Sequence, residues 1–401
     1  MKNYLSVLRH NGVMRVMASQ LVARFPFGMM SLAFVIHIAR TTNSYAIAGI
    51  ALGAETIGVA VSGPLLGRWL TTIGARRVLI WCTIISPTAT ILIGLVNLGA
   101  IAYGLLALVV GLTSPPIQSA ARNIYPRLIP KSKLSTLFGL DATLQEVIWV
   151  VGPVLATFLA AWVNSTFTIL VMASLQIVGT SWFTFNREIA HIQSDETRGR
   201  LGEVLRHATV VANSIIGMLL IGSVAGLEVG TIALLPKAEA GLVVAMLSIG
   251  SIVGGLLLGG RAKTSWALTK YMALICAGYC LSFVNPTDVV WLSICWFIAG
   301  LGIAPALGFL STIVSIALPS SETSEAYGWV NTGQMIGYSI GSALAGLAID
   351  TVSPASSLMV AVIFGILTLA VAFLTVGITP ALGRLDLSTK AIEIVDEKDA
   401  Q

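Results

Sequence analysis

The chain has 401 residues, of which 56% are hydrophobic and only 10% charged, against roughly 25% charged in soluble domains. With a mean hydropathy of +0.89, this composition excludes an ordinary water-soluble fold. The net charge of +5 is spread among short loops and forms no basic stripe, so no nucleic-acid partner is expected. Cys82, Cys276, Cys280 and Cys295 all lie in apolar runs and read as small buried side chains, not as a metal or redox site.

Taken in order, the apolar runs predict twelve helical spans, each near the ~20 residues needed to cross hydrocarbon. The first six fall at about 14–39, 45–69, 78–98, 101–121, 134–161 and 166–185. The second six fall at about 209–235, 241–260, 266–284, 289–311, 325–349 and 356–378. Lys2 to Arg15 lead directly into the first span, so no cleavable signal is expected. The fold class that follows is an all-α membrane protein of two six-helix bundles. Residues 1–185 form the first bundle, 186–207 a linker, 208–380 the second bundle and 381–401 a polar tail.

Lys and Arg sort to one side of these spans. That side receives Lys2, Arg9, Arg15, Arg68, Arg76, Arg77, Arg122, Arg127, Lys131 and Lys133 from the first half. From the linker, second half and tail it receives Arg187, Arg198, Arg200, Arg206, Arg261, Lys263, Lys270, Arg384, Lys390 and Lys398. The opposite side keeps only Arg40 and Lys237. Both termini and the linker are therefore expected in the cytoplasm.

The turn between spans 2 and 3 reads GPLLGRWLTTIGARRVLI, Gly63 to Ile80. It resembles the glycine-start loop motif of the major facilitator superfamily, Gly-x-Leu-Ala-Asp-Arg-x-Gly-Arg-Lys. The motif maps its glycines onto Gly67 and Gly74 and its last basic residue onto Arg76, with Arg77 following. The family's acid and its neighbouring arginine are here Thr71 and Thr72. Glycine lets the helix ends approach and turn, and the arginines sit at the headgroup level.

Span 5 carries Asp141, Gln145 and Glu146 near its middle and the pair Gly152–Pro153 beyond them. A charge in hydrocarbon is costly, so these side chains should face a bundle interior or a water-filled cavity. The span also recurs. A shift of 189 positions sets Pro130, Ser132, Ser135, Gly139, Thr143, Gln145, Gly152, Leu155 and Ala156 on identical residues from Pro319 to Ala345. The halves are thus a duplication, and Gln145 and Gln334 should stand on opposite walls of one central cavity. Gly152–Pro153 resembles part of the helix-5 element of proton-antiporting efflux members, and is equally a proline kink with small residues for packing. In span 11, Gly333, Gly337 and Gly341 at steps of four read as close helix–helix contact.

The candidates for substrate or proton handling are Arg24, Glu55, Asp141, Gln145, Glu146, Glu228, Asn331 and Gln334. Arg24 and Glu55 either form a structural ion pair or serve transport. Asp141 either bridges to Arg122 or Arg127 or acts in transport, and His37 reads as interfacial. An inner gate is expected from Gly67, Arg68, Thr71, Gly74, Arg76 and Arg77 on one half and Glu322 and Glu325 on the other. There, Glu322 or Glu325 should pair with Arg76 or Arg77.

The resemblance implies a multi-pass secondary transporter of a bacterial plasma (inner) membrane, with no cofactor, working by alternating access. Its partners would be a small-molecule substrate, protons as coupling ion and the lipid bilayer. Efflux of a small, partly apolar compound is the expected direction. Import of a sugar or other metabolite and a transport-inactive sensor are the alternatives. An intramembrane enzyme is not expected, since no paired-His motif or embedded Ser/His set occurs.

Overall fold

The computed structural model describes residues 2–191, 200–259, 264–377 and 379. A short helix α1 (Lys2–Leu8) leads through Gly12, at φ +84°, into α2 (Val13–Thr42). The first half continues with α3 (Tyr45–Trp69), α4 (Ala75–Leu95), α5 (Ala100–Leu112), α6 (Ile117–Leu128), α7 (Lys131–Trp162) and α8 (Ser165–Thr184). The second half comprises α9 (Ala208–Leu234), α10 (Lys237–Leu258), α11 (Ala267–Ser282), α12 (Val289–Ala317), α13 (Ser320–Thr351) and α14 (Ser356–Leu374).

Among the described residues α2 to α14 group into twelve segments, with α3 and α4 separate and α5 and α6 taken together, and nine stretches are long and apolar enough to cross a membrane. α3 gives way to a π-helical turn, Leu70–Gly74, which ends where Gly74 takes φ +102°. A side chain is strained at that dihedral, so glycine makes the reversal. Thr71 and Thr72 donate their hydroxyls to the Arg68 carbonyl at 2.9 and 3.1 Å, satisfying backbone that the turn exposes. Span 4 differs from its predicted course over 101–121. Pro115 and Pro116 remove two backbone donors and disfavour helix in the residue before each, so the chain is non-helical from Thr113 to Pro116 and resumes as α6. The pass through α7 runs unbroken across Pro153.

We call the end of the bundle holding α1 and the α3–α4 turn the base, and the opposite end the mouth. Arg68, Arg76, Arg77, Arg122, Arg127, Arg200 and Arg206 lie in the base half of the molecule, or in the connection beneath it. Of the expected cytoplasmic basic residues, Arg198, Arg261, Lys263, Arg384, Lys390 and Lys398 lie outside the described residues, as does the tail from Pro380. One apolar core fills the base of the first half and reaches across to Val314, Leu318, Tyr327 and Val330 of the second. A second core, around Phe34, Tyr103 and Met172, fills the mouth half of the first bundle. The second bundle has its own core around Trp296 and Tyr279.

Glycines set the helix spacing within each half. Gly152 of α7 lies against the backbone of Gly28 in α2, where an added Cβ would stand 2.8 Å from Gly28 Cα. The second half repeats this arrangement on α13, whose Gly333, Gly337 and Gly341 abut the backbone of Ser214, Met218 and Gly222 in α9. The spacing of four in the sequence is thus the α13–α9 packing face.

Candidate functional site

The halves meet along two seams, α3 against α13 and α7 against α10 and α12. At the base both are tight. Gly67 faces the backbone of Ser324 and Glu325, and Gly63 faces Gly328. Higher up, Thr332 donates to the Ala60 carbonyl at 2.6 Å. On the other seam Gly139 lies between Gly259 and Gly308 with backbone atoms near 3.0 Å of an added Cβ. Ser135 donates to Gly259 O at 3.2 Å, and Tyr4 of α1 donates to Gly255 O at 2.5 Å. Asn123 Nδ2 donates to Ser320 O at 2.6 Å.

Towards the mouth the same faces part. At 100° per residue, Gly53 and Gly49 continue the stripe of Ala60, Gly63 and Gly67, yet an added Cβ at either would meet nothing within 4 Å. Gly346 extends the stripe of Ser324, Gly328 and Thr332, and Gly241 extends that of Ser251, Gly255 and Gly259. Both also have open space around them. The halves therefore form a V, closed at the base and open at the mouth.

Glu146 stands where the V begins to open, one turn above the Thr143–Gly255 contact. It is half-buried, accepts from Ser251 of α10 and lies within electrostatic reach of Glu228 in α9. Glu228 in turn accepts from Tyr338 of α13 at 3.2 Å. Asn331, half-buried, falls roughly 20° from Tyr338 around α13. Glu146, Glu228 and Tyr338 thus converge from both halves on the cavity floor, with Asn331 about two turns nearer the base on the same side of α13 as Tyr338.

The two glutamines are placed differently from the expectation. Gln334 packs against Gly217 of α9, inside its own half. Gln145 shares with Gly152 the side of α7 that faces α2. They occupy equivalent positions in the repeat, but on the intra-half packing faces, because that side of α7 and α13 is the one lined by close-contact glycines.

Arg24 does not pair with Glu55. It donates from Nη1 to Asp141 Oδ1 at 2.7 Å, and Arg122 Nε donates to Asp141 Oδ2 at 3.1 Å. Gln20 Nε2 and the Tyr125 hydroxyl complete the shell of Oδ1 at 2.8 and 3.1 Å. Asp141 is fully buried, Arg24 is 3% and Arg122 8% exposed. Two guanidiniums therefore share one carboxylate in a buried site. Arg122 also stands over the Tyr327 ring of α13, 5.6 Å from its centroid, which ties this cluster to the second half. Glu55 sits on the opposite side of α3 from the seam, with Gly58 and Ser62 against α5, its carboxylate near Thr56 Oγ1 at 3.4 Å. His37 is 2% exposed and bonds Ser165 and the Ile93 carbonyl, so it is a packed core group and not an interfacial one.

At the base the pairing forms on Arg68, eight residues before the expected Arg76. Glu325 pairs with Arg68 at 3.4 Å and accepts from Gly202 N at 2.7 Å and Trp329 Nε1 at 3.4 Å. Glu322 faces His207 at 3.2 Å. Arg76 and Arg77 are exposed beyond the turn, because the π-helical segment carries them past α13. Thr71 is buried and turned onto its own helix, so it makes no bond across the gate.

Sequence reasoning missed Gln20, Tyr125, Ser251 and Tyr338. Gln20 stands one turn before Arg24 and Tyr125 three residues after Arg122, so helical spacing from the named charges marks both. Ser251 and Tyr338 carry no such mark.

A family model described as the Major Facilitator Superfamily matches residues 16–260. No curated protein sequence matches the chain. Among solved structures, the fold is similar to a bacterial homologue of the iron transporter ferroportin in an outward-facing state. That pair has a TM-score of 0.73 and 15% identity, over 90% of this chain and 98% of the other. The human organic anion transporter MFSD10 gives 0.73 and 13%, over 90% and 98%. The proton:xylose symporter XylE gives 0.69 and 12%, over 93% and 98%. At these identities the likeness is one of fold.

Proposed function

Since the chain belongs to the major facilitator superfamily and is therefore a membrane transporter, we propose that it is a proton-coupled efflux carrier working by alternating access. The observation that carries this reading is the placement of Glu146 and Glu228, one from each half, at the point where the closed base gives way to the open mouth. A carboxyl at that point can exchange its proton with the mouth side while the base is shut, and with the other side once the halves rock. The substrate is a small, partly apolar compound held between the halves above Glu146.

The base is taken as the cytoplasmic side of a plasma membrane, because the arginines concentrate there. The two bundles, 1–185 and 208–380, then move as the rocking bodies about the 186–207 linker. Import is the second reading. The same floor serves symport, and one chain of similar fold is a proton:xylose symporter.

Proteoliposomes with an internal pH dye test the proposal. Addition of a transported compound should move protons in the opposite direction to the compound, and Glu146→Gln should abolish that coupled flux. Co-directional movement would establish symport instead. A wild-type protein that moves no proton with any transported compound overturns the coupling.

A further inference from the structure

The closed base also uses an element that lies outside the twelve segments. Helix α1 has seven residues, and a helix shorter than about 12–15 residues is marginal in water by itself, so packing holds it. Tyr4, Val7 and Leu8, at i, i+3 and i+4, share one face. Val7 is 1% exposed within the core at the base of the first half, and Tyr4 and Leu8 pack against that core. Leu5 and, just past the helix, Arg9 are exposed. The chain then turns into α2 through Gly12, whose positive φ suits glycine, with the Glu188 side chain lying where a Cβ would stand. Since α1 packs on α7 and α2, it belongs to the first half.

The Tyr4 phenol nevertheless crosses to the second half. Its hydroxyl donates to Gly255 O at 2.5 Å, in the last turn of α10. That carbonyl already accepts from Gly259 N at 3.0 Å, and it takes the phenol on its second lone pair. Glycine at 259 leaves room for the approach, because an added Cβ would stand 3.2 Å from both the Tyr4 hydroxyl oxygen and Gly139 Cα. Gly255 lies one turn nearer the base than Ser251, the residue that bonds Glu146. Tyr4 therefore closes the second seam about one turn beneath the floor of the V.

We propose that α1 is a strap on the closed base: it rides on the first half, and its Tyr4 hydroxyl holds α10 of the second half while the base is shut and lets go when the base opens. The donor and the carbonyl sit on different halves, so the bond exists only while that seam is closed. The reading is independent of which compound or coupling ion the central cavity carries.

The test is the rate at which a hydrophilic maleimide labels a cysteine buried in the other base seam, in the full chain in detergent. Ser324→Cys on an otherwise cysteine-free background serves, because Ser324 is fully buried against Gly67. Its labelling rate scales with the base-open population even when that population is small. Tyr4→Phe keeps the ring and removes only the hydroxyl. One net hydrogen bond corresponds to a factor of roughly 2 to 10 in population, so labelling should speed up by that factor. Deleting residues 2–11 should speed it at least as much, and should the deletion fail to fold, Tyr4→Phe decides alone. An unchanged rate in Tyr4→Phe would overturn the strap. A parallel protein that keeps only Cys295, 1% exposed in the core of the second half, reports loosening of the fold. Its rate should stay the same in Tyr4→Phe, and a rise there equal to that at position 324 would also overturn the proposal. Spin labels at Leu5 and Ser132, both exposed, should keep one distance with and without the hydroxyl, since α1 stays on the first half. A distance that broadens in Tyr4→Phe would make α10 the anchor of α1 and refute the arrangement.

Discussion

The buried cluster around Asp141 makes an asymmetric prediction. Its formal charges are one carboxylate and two guanidiniums, all nearly inaccessible to water. Asp141→Asn preserves shape but leaves Arg24 and Arg122 facing each other with no counter-charge. Removing one partner of a buried pair costs about 3–5 kcal/mol, and here both cations lose theirs, so the upper end is expected. Arg24→Met does the opposite. It leaves a balanced Arg122–Asp141 pair, and it also removes Nη2, which is buried without a hydrogen-bond partner in the described structure.

The remaining cost of Arg24→Met is the Gln20 Oε1 acceptor, which loses the Arg24 donor that stood at 2.9 Å, or about 1–3 kcal/mol. Asp141→Asn should therefore unfold at markedly lower temperature in detergent than Arg24→Met, read by tryptophan fluorescence. The double variant should be more stable than Asp141→Asn alone, since one of the two stranded charges is gone. An Arg24→Met protein as unstable as Asp141→Asn, or a double variant showing simple additivity, would refute the charge count as the controlling term.

The closed base provides three further tests. Gly67→Ala puts a methyl against the Ser324 and Glu325 backbone; overpacking of about 1–3 kcal/mol falls only on the base-closed state. Spin labels at Ser132 and Lys270, on a cysteine-free background, should then report a longer base distance, and an unchanged distribution contradicts the seam. Arg68→Glu should also open the base, and Glu325→Arg added to it should restore closure, whereas reversals at Arg76 should leave the base distance unaltered. Finally, Glu146→Gln should eliminate coupled proton flux while Glu55→Gln retains most of it, because Glu55 faces α5 and not the seam; equal losses in both would show that the first half carries its proton elsewhere.

The all-helical membrane fold and the course of most of its spans were legible in the sequence, because hydrocarbon imposes a length and an apolarity that any window along the chain reports. The glycine stripe of α13 was legible for a related reason: a residue at every fourth position shares one helix face wherever the helix goes. The break at Thr113–Pro116 was also present as two adjacent prolines, although the apolar run concealed it. What the tertiary structure alone decided was which face meets which neighbour. Arg24, Asp141 and Arg122 are far apart in the chain, and any buried acid is a plausible partner for Arg24 until the packing of α2 on α7 selects Asp141 over Glu55. Gln145 and Glu146 are adjacent in sequence, yet one lies towards α2 and the other at the seam, about 100° apart on the helix. The gate pairing moved from Arg76 to Arg68 because a π-helical turn rotates everything beyond it, and composition carries no record of that rotation. Periodicity fixes a residue's place on its own helix; only the packing of one helix on another fixes what that place confronts.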